Sequence, residues 1–369
     1  MAKTLINGSH AHYLYNFRSP LVQDMLDRGH EVHVSSPGLT GRFADHFRAM
    51  GAVPHEIVLE RTKVSFLSDL RYLISVKRLI DREAIDFVLN YTIKPNIWGS
   101  LASKWAGARS ASMVTGLGFA FIDREGVSRK VTQKVAQGLY RLATNANSHV
   151  VFQNLDDRDD FIRAGCLGDA SKVILTNGSG VDMDFYAPVA LPDRPVFLTV
   201  GRLLHSKGLA ELAEAATAVR RALPDARILL AGSLDTGPDA ASQAELDAWT
   251  RQGMEYIGYL DDVRGAIAQA SVFVLPSWRE GTPRTVLEAM SMGRPTITTD
   301  VPGCRETTVH ADNGYLVPVR DPAALAQAMI ALGRDPDLRA QMGQRSREIV
   351  EGKFDVVKVN AALLDRLGL

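Results

Sequence analysis

Two series of short apolar runs alternate with amphipathic stretches, and one turn-rich break separates them. In the first series, strand character appears at Thr4–Asn7, Glu31–Ser35, Phe87–Tyr91, Ser112–Thr115, Val150–Gln153 and Val173–Thr176. Helical stretches lie between, at Pro20–Arg28, Ser68–Glu83, Ile97–Ala106 and Arg129–Thr144. The break is Asn177-Gly178-Ser179-Gly180-Val181-Asp182, followed closely by Pro188, Pro192 and Pro195. The alternation then restarts with strands at Val196–Val200, Arg227–Ala231, Tyr256–Ile257, Val272–Leu275, Thr296–Thr299 and Leu316–Pro318. Helices fill the gaps and two more close the chain. Alternation of this kind predicts parallel sheets covered by helices on both faces. The expected fold is therefore α/β, with two doubly wound, Rossmann-like domains facing a central cleft. Residues 1–180 form one domain, residues 188–350 the other, and 351–369 a helix that packs back toward the first. Ligands of such sheets bind at the carboxyl ends of the strands.

A chain of 369 residues suits two domains, and 46% hydrophobic residues suffice for large cores. No run of 18 apolar residues occurs, so no spanning helix is expected. Met1–Gly8 lacks the long apolar region of a signal peptide and reads as a first strand. Cys166 and Cys304 lie far apart, so reduced thiols in a cytoplasm are expected. No Cys/His group has metal-ligand spacing. Net charge is zero, yet residues 1–180 hold 22 basic against 17 acidic side chains, while residues 181–369 hold 20 against 25. A surplus of this size argues against nucleic acid. It allows a basic first half to face an anionic membrane surface or a diphosphate.

The segment Ser277–Met290 carries most of the chemistry. It follows the apolar run Val272–Leu275 and holds two glutamates eight positions apart, Glu280 and Glu288. Thr282 is expected to cap a helix whose first turn contains Pro283. Glu280 then lies in the loop and Glu288 inside the helix, about 7 to 8 Å further along its axis. One carboxylate can hold the hydroxyls of one sugar and the other those of a second. The helix N-terminus between them, near Gly281, favours an anion. A glutamate pair at this spacing also fits a capping acid and a solvated helix residue.

Gly201-Arg202-Leu203-Leu204-His205-Ser206-Lys207-Gly208 follows another strand and places two cations before a helix at Leu209–Arg221. They are either a diphosphate clamp or two solvated loop cations. The Tyr256–Asp262 segment, with Gly258 and Tyr259, either faces a nucleobase or is a plain connection. In the first half, His10 and His12 follow the first strand without a G-x-G-x-x-G fingerprint. They are acid/base candidates or loop surface. Lys94 and Asn96, and Thr115 and Gly116 with Gly118, end two further strands. Lys94 reads as a phosphate ligand or a solvated lysine, and the glycines as close backbone approach or a tight turn. Arg61–Leu67 mixes basic and apolar residues and reads as a membrane-facing patch. Leu70–Ile80 reads rather as an amphipathic helix on the sheet.

These motifs resemble retaining glycosyltransferases of the GT-B superfamily that contains sucrose and glycogen synthases (family 4). The resemblance rests on Glu280…Glu288, Gly201-Arg202…Lys207-Gly208, Gly180-Val181-Asp182…Phe185 and Arg28-Gly29-His30-Glu31-Val32. A narrower likeness, carried by Tyr15-Asn16-Phe17-Arg18, Lys94-Pro95-Asn96, Gly99–Ala106 and Thr115-Gly116-Leu117-Gly118, is to bacterial N-acetylgalactosaminyltransferases that extend polyprenyl-diphosphate-linked sugars. The resemblance implies a UDP-sugar donor, retention of anomeric configuration and no metal or other cofactor. It implies that Arg202 and Lys207 hold the donor diphosphate, Glu280 the donor-sugar hydroxyls and Glu288 the ribose. Gly201, Tyr259, Gly281, Thr282 and Pro283 complete the donor side. Asn16, Arg18, Lys94, Asn96, Thr115 and Gly116 are the implied acceptor side. Thr282 stands where relatives often carry Phe or Leu, and no first-half histidine matches the one that meets the donor sugar in some relatives. Two other readings share the fold: a UDP-sugar 2-epimerase and a non-catalytic nucleotide-sugar sensor.

Overall fold

In the computed structural model, residues 1–60, 65–117 and 127–369 are described, without the side chains of 127–132. Residues 61–64 of the expected membrane patch, and Gly118, lie outside them. The chain divides into two compact units, residues 1–179 with 357–369, and residues 180–356.

The first unit opens with β1 (Lys3–Asn7), α1 (Ala11–Asp27), β2 (Glu31–Ser36), α2 (Gly41–Met50) and β3 (Val53–Glu56). It continues through α3 (Phe66–Glu83), β4 (Phe87–Tyr91), α4 (Ser100–Ala106), β5 (Arg109–Val114), α5 (Val127–Ala146), β6 (His149–Phe152), α6 (Leu155–Arg163) and β7 (Val173–Leu175). The second unit contains β8 (Val196–Val200), α7 (Leu209–Ala222), β9 (Arg227–Ala231), α8 (Gln243–Arg251), β10 (Glu255–Tyr256) and α9 (Arg264–Gln269). Then come β11 (Val272–Leu275), α10 (Arg284–Ser291), β12 (Thr296–Thr299), β13 (Gly314–Val317), α11 (Pro322–Arg334) and α12 (Pro336–Ile349). The last helix, α13 (Val356–Leu367), belongs almost wholly to the first unit.

Among the described residues, all pairs of named strands are parallel. The sheet orders are β3-β2-β1-β4-β5-β6-β7 and β10-β9-β8-β11-β12-β13. Both are doubly wound, with order reversing beside β1 in the first unit and β8 in the second. The points between β1 and β4, and between β8 and β11, are the places where such sheets open to ligands.

Each sheet has a core on both faces. In the first unit, Tyr72, Val76 and Ile80 of α3 pack with Ala102, Tyr140 and Phe161 on one face. Leu14, Val22 and Met25 of α1 pack with Phe47, Leu363, Leu364 and Leu367 on the other. α13 is tied there by Asn360 donating to Asp24 at 2.7 Å and by an Arg28–Asp365 ion pair at 2.7 Å. In the second unit, α7, α8 and α11 cover one face, and α9, α10 and Phe354 the other.

Several expected boundaries shift. α1 begins at Ala11, nine residues before the expected start, and runs through Pro20. Leu14, Arg18, Leu21, Val22 and Met25 form one continuous buried face, so packing outweighs the proline's missing N–H. β3, α2 and α6 were not expected at all. The units meet in sequence at Ser179–Gly180, and residues 181–187 and 351–356 count with the second unit. A short bridge explains that grouping: Val181 N–H donates to the Phe354 carbonyl at 2.8 Å, and Val356 N–H to the Val181 carbonyl at 3.1 Å.

Candidate active site

In the second unit, the β8 and β11 loops lie side by side at the switch point. The β11 strand ends at Leu275, and its loop carries Ser277, Trp278 and Glu280. The β8 strand ends at Val200, and its loop carries Arg202 and a 3-10 turn, His205–Lys207. The loops are stitched together by Trp278 N–H donating to the Ser206 carbonyl at 2.8 Å, and by Trp278 Nε1–H donating to Glu211 at 3.0 Å. Gly208 makes this approach possible. Its φ is +69°, and a Cβ there would sit 2.1 Å from the Pro276 carbonyl oxygen.

The consequence is chemical. Lys207 Nζ forms an ion pair with Glu280 Oε1, and Ser277 Oγ–H donates to the same oxygen at 2.7 Å. Neither side chain is a solvated loop charge, since Lys207 is 21% and Glu280 13% exposed. Arg202 is separate. It is half exposed and pairs with Asp235 at 2.6 Å, on the loop after β9. Gly201 continues the β8–β9 ladder by donating N–H to Ala231 at 3.0 Å. Tyr259 is exposed in the loop after β10, its hydroxyl 3.4 Å from Asp261.

Thr282 does not cap the following helix. Pro283, at φ −71° and ψ 108°, occupies the capping position, and α10 starts at Arg284. The residue before a proline is driven toward extended backbone, which keeps Thr282 out of the helix. Its hydroxyl donates instead to the Gly281 carbonyl at 3.0 Å. Glu288 is buried, not solvated, at 6% exposure. Arg284 Nε–H donates to it at 3.1 Å, and the Tyr186 hydroxyl hydrogen-bonds to it from the segment after Gly180. Burial raises the Glu288 pKa, while Arg284 and Tyr186 pull it back down. The two glutamates therefore have different partners and different environments.

In the first unit, His10 is the N-cap of α1, its Nδ1 accepting from His12 N–H at 3.2 Å, so the loop after β1 is short. Asn16 meets His12 Nε2 at 2.9 Å. Arg18 is buried with its guanidinium 5.3 Å from the centre of the Tyr91 ring. Lys94 is not a solvated lysine. It pairs with the buried Asp69 of α3 at 2.7 Å and donates to the Glu60 carbonyl at 2.5 Å. Asn96 is 1% exposed and donates to the Met113 carbonyl at 3.0 Å, so its amide supports β5 from within a π-helical turn, Pro95–Gly99. That turn lies directly on the sheet, because a Cβ on Gly99 would stand 2.0 Å from Asn90 Oδ1. Thr115 and Gly116 follow β5, and Gly116 has φ +143°. Thr92, just after β4, is held at φ +72°, a left-handed conformation costly for a β-branched residue, with its hydroxyl buried and without a partner among the described residues.

Sequence reasoning did not single out Tyr186, Arg284, Asp235, Asp69 or Thr92. Arg284 and Glu288 stand at helical i, i+4 spacing, a readable signal. The others meet the site only through the fold.

The model for glycosyl transferases group 1 matches residues 194–335, and that for glycosyl transferase 4-like proteins matches residues 4–154. The chain belongs to the group 1 glycosyltransferases. This glycosyltransferase is 25% identical over 350 residues to the N,N'-diacetylbacillosaminyl-diphospho-undecaprenol alpha-1,3-N-acetylgalactosaminyltransferase of Campylobacter jejuni, covering 91% of this chain and 90% of that protein. It is 26% identical over 309 residues to the UDP-Gal:alpha-D-GlcNAc-diphosphoundecaprenol alpha-1,3-galactosyltransferase of Escherichia coli, covering 80% and 78%. Among solved structures, the sucrose-phosphate synthase of Thermosynechococcus elongatus superposes with a TM-score of 0.82 at 17% identity, over 99% of this chain and 98% of that one. HepE of Anabaena in complex with UDP-glucose gives 0.79 at 19%, over the whole of both chains. The fold of this glycosyltransferase is GT-B.

Proposed function

We propose that this glycosyltransferase moves a sugar, an N-acetylhexosamine such as N-acetylgalactosamine, from a UDP-sugar to a polyprenyl-diphosphate-linked saccharide in bacterial glycan assembly. The carrying observation is the Lys207–Glu280 pair at the switch point of the second unit, which sets a cation and a sugar-binding carboxylate side by side. The names of the Campylobacter and Escherichia relatives, both acting on diphosphate-linked lipid saccharides, support the acceptor. Arg202 and Lys207 stabilise charge on the diphosphate as the bond from the donor anomeric carbon to its phosphate oxygen breaks. Glu280 holds donor-sugar hydroxyls and Glu288 the ribose, with Gly281, Thr282 and Pro283 shaping the wall between them. The acceptor hydroxyl attacks on the face the phosphate leaves. Its proton passes to the departing phosphate, and the configuration is retained. No metal or other cofactor takes part. In the first unit, Asn16, Arg18, Lys94, Thr115 and Gly116 surround the acceptor end. The protein works in the cytoplasm, peripheral on the inner face of the cytoplasmic membrane.

A panel of UDP-sugars offered with defined polyprenyl-diphosphate mono- and disaccharides tests this reading. One donor is expected to dominate, with product of retained configuration. Equal rates on a soluble sugar lacking lipid and diphosphate would overturn the acceptor, and epimer formation without acceptor would overturn transfer itself.

A further inference from the structure

Arg320 stands in the loop between β13 and α11, one residue before Asp321, whose side chain caps that helix by accepting from Ala324 N–H at 2.9 Å. Its φ is +59°, a left-handed backbone that glycine adopts freely and a residue with a Cβ only at a cost. The side chain is exposed, and its guanidinium makes no hydrogen bond or ion pair among the described residues. What it meets is the face of Trp278, with the guanidinium carbon 4.1 Å from the ring centre. A cation over a partly exposed ring stabilises less than a left-handed backbone destabilises. Arginine at 320 is therefore unfavourable locally, and backbone strain kept in this way points to a role in function.

Trp278 is the residue that joins the β11 loop to the β8 loop. Its backbone N–H reaches the Ser206 carbonyl at 2.8 Å, and its indole N–H reaches Glu211 Oε1 at 3.0 Å. Ser206 directly precedes Lys207, and Glu211 lies in the first turn of α7, just beyond Gly208. The two bonds thus fall on either side of Lys207. The second oxygen of Glu211 is buried without a partner among the described residues, so the indole is that carboxylate's one donor there. A swing of the indole about its side-chain bonds would break this contact and leave a buried carboxylate unpaired, which is costly. Arg320 lies across the ring face and opposes that swing.

We propose that Arg320 is a positioning residue for the donor diphosphate: stacked on Trp278, it locks the indole that holds the His205–Lys207 turn, and so fixes Lys207 beside Glu280. Strain in the β13–α11 loop is thereby exchanged for a cation held in place where charge develops during transfer. This role rests on the donor reading of Lys207 given above.

Arg320→Gly, Arg320→Lys and Lys207→Ala, each in the full chain, are compared with the parent by thermal melting, calorimetric titration with UDP, and UDP release from the preferred UDP-sugar of the panel above at saturating concentration. Arg320→Gly relieves the backbone strain, so its melting midpoint should equal or exceed the parent's. Its turnover should nevertheless fall about tenfold, because a loosened Lys207 is misplaced for the reaction. UDP affinity should change by less than about threefold, since the loss is greatest where charge develops in the transition state. Arg320→Lys keeps a cation for the ring and should recover most of the turnover without the gain in melting. An arginine with a merely structural role would lower melting and turnover together. Parental turnover in Arg320→Gly, a fall in its melting midpoint, or an Arg320→Lys no faster than Arg320→Gly would overturn the positioning role. Any of these beside an inactive Lys207→Ala leaves the donor reading standing, whereas parental turnover in Lys207→Ala overturns the donor reading itself.

Discussion

Lys207 and Glu280, 73 residues apart in sequence, neutralise each other across two neighbouring strand ends. A nucleotide-sugar that places its diphosphate on Lys207 and its hydroxyls on Glu280 must share or replace this contact. The pair then holds both side chains in position before binding, which lowers the ordering cost of the site. The same closeness gives each residue a structural duty as well as a chemical one.

Lys207→Ala is expected to lower turnover by roughly 10²–10³-fold, the usual loss when one stabiliser of developing charge is removed. It should also lower stability by about 1–3 kcal/mol, because Glu280 keeps its partly buried charge without its cation. Glu280→Gln alone should be destabilising too. Combining the two should cost less than the sum, a coupling that steady-state kinetics and urea unfolding of the four proteins would measure. Additive losses would separate the residues.

Glu288→Gln is expected to weaken UDP binding by roughly tenfold, the worth of about one charge-assisted hydrogen bond. Turnover at saturating donor should change much less, because ribose contact is the same in ground and transition states. Calorimetric titration with UDP, set beside turnover at saturating donor, distinguishes this from a catalytic role, which would reduce turnover and leave affinity intact.

Gly208→Ala should destabilise the protein by about 2–4 kcal/mol. A left-handed φ of +69° is costly for alanine, and its Cβ would press on the Pro276 carbonyl at 2.1 Å. The backbone has to shift exactly where Lys207 is held, so turnover should fall further than stability alone explains. Unfolding midpoints with turnover measured well below them provide the check.

Thr92→Gly should do the opposite to stability. Release of left-handed strain outweighs the added chain entropy by roughly 1 kcal/mol, raising the melting temperature. If the strain serves acceptor positioning, the acceptor KM rises several-fold at the same time. A lower melting temperature would show that the conformation is not strained.

Much of this was legible. Val272–Leu275 and Val196–Val200 read as strands because a parallel strand buried on both faces is apolar without interruption. Glu280 and Lys207 read as site residues because both follow such strands. β3, Val53–Glu56, was hidden because an edge strand with one face in water tolerates Pro54, His55 and Glu56. The start of α1 was hidden because His10 is an uncommon cap and Pro20 suggested a boundary that packing overrides. The ion pair of Lys94, read as a phosphate ligand or a solvated lysine, was hidden because its partner Asp69 lies 25 residues away on a different element, and no local pattern encodes that meeting.

The β2–β3 edge offers a pH dependence away from the active site. His33 Nδ1 and His55 Nε2 are 2.9 Å apart with stacked rings, and His33 Nε2 meets Glu31 at 3.1 Å. Burial, and then the neighbouring His33, push the His55 pKa down from 6.5 to about 4, against a smaller pull from Glu83. The unfolded chain therefore takes up a proton near pH 6.5 that the folded chain resists until about pH 4. Stability is full above that window and is lost as pH falls through it, by on the order of 1–2 kcal/mol once solvent screening of the half-buried ring is allowed for. Glu31, held below the ordinary carboxylate value of 4.5 by His33 and Lys3, adds slope of the same sign only at the acid end of that window, so the upper part reports His55. Urea unfolding at steps across the window should show the decline in the parent and a flatter profile in His55→Gln. An equal slope in both proteins would place the titration elsewhere.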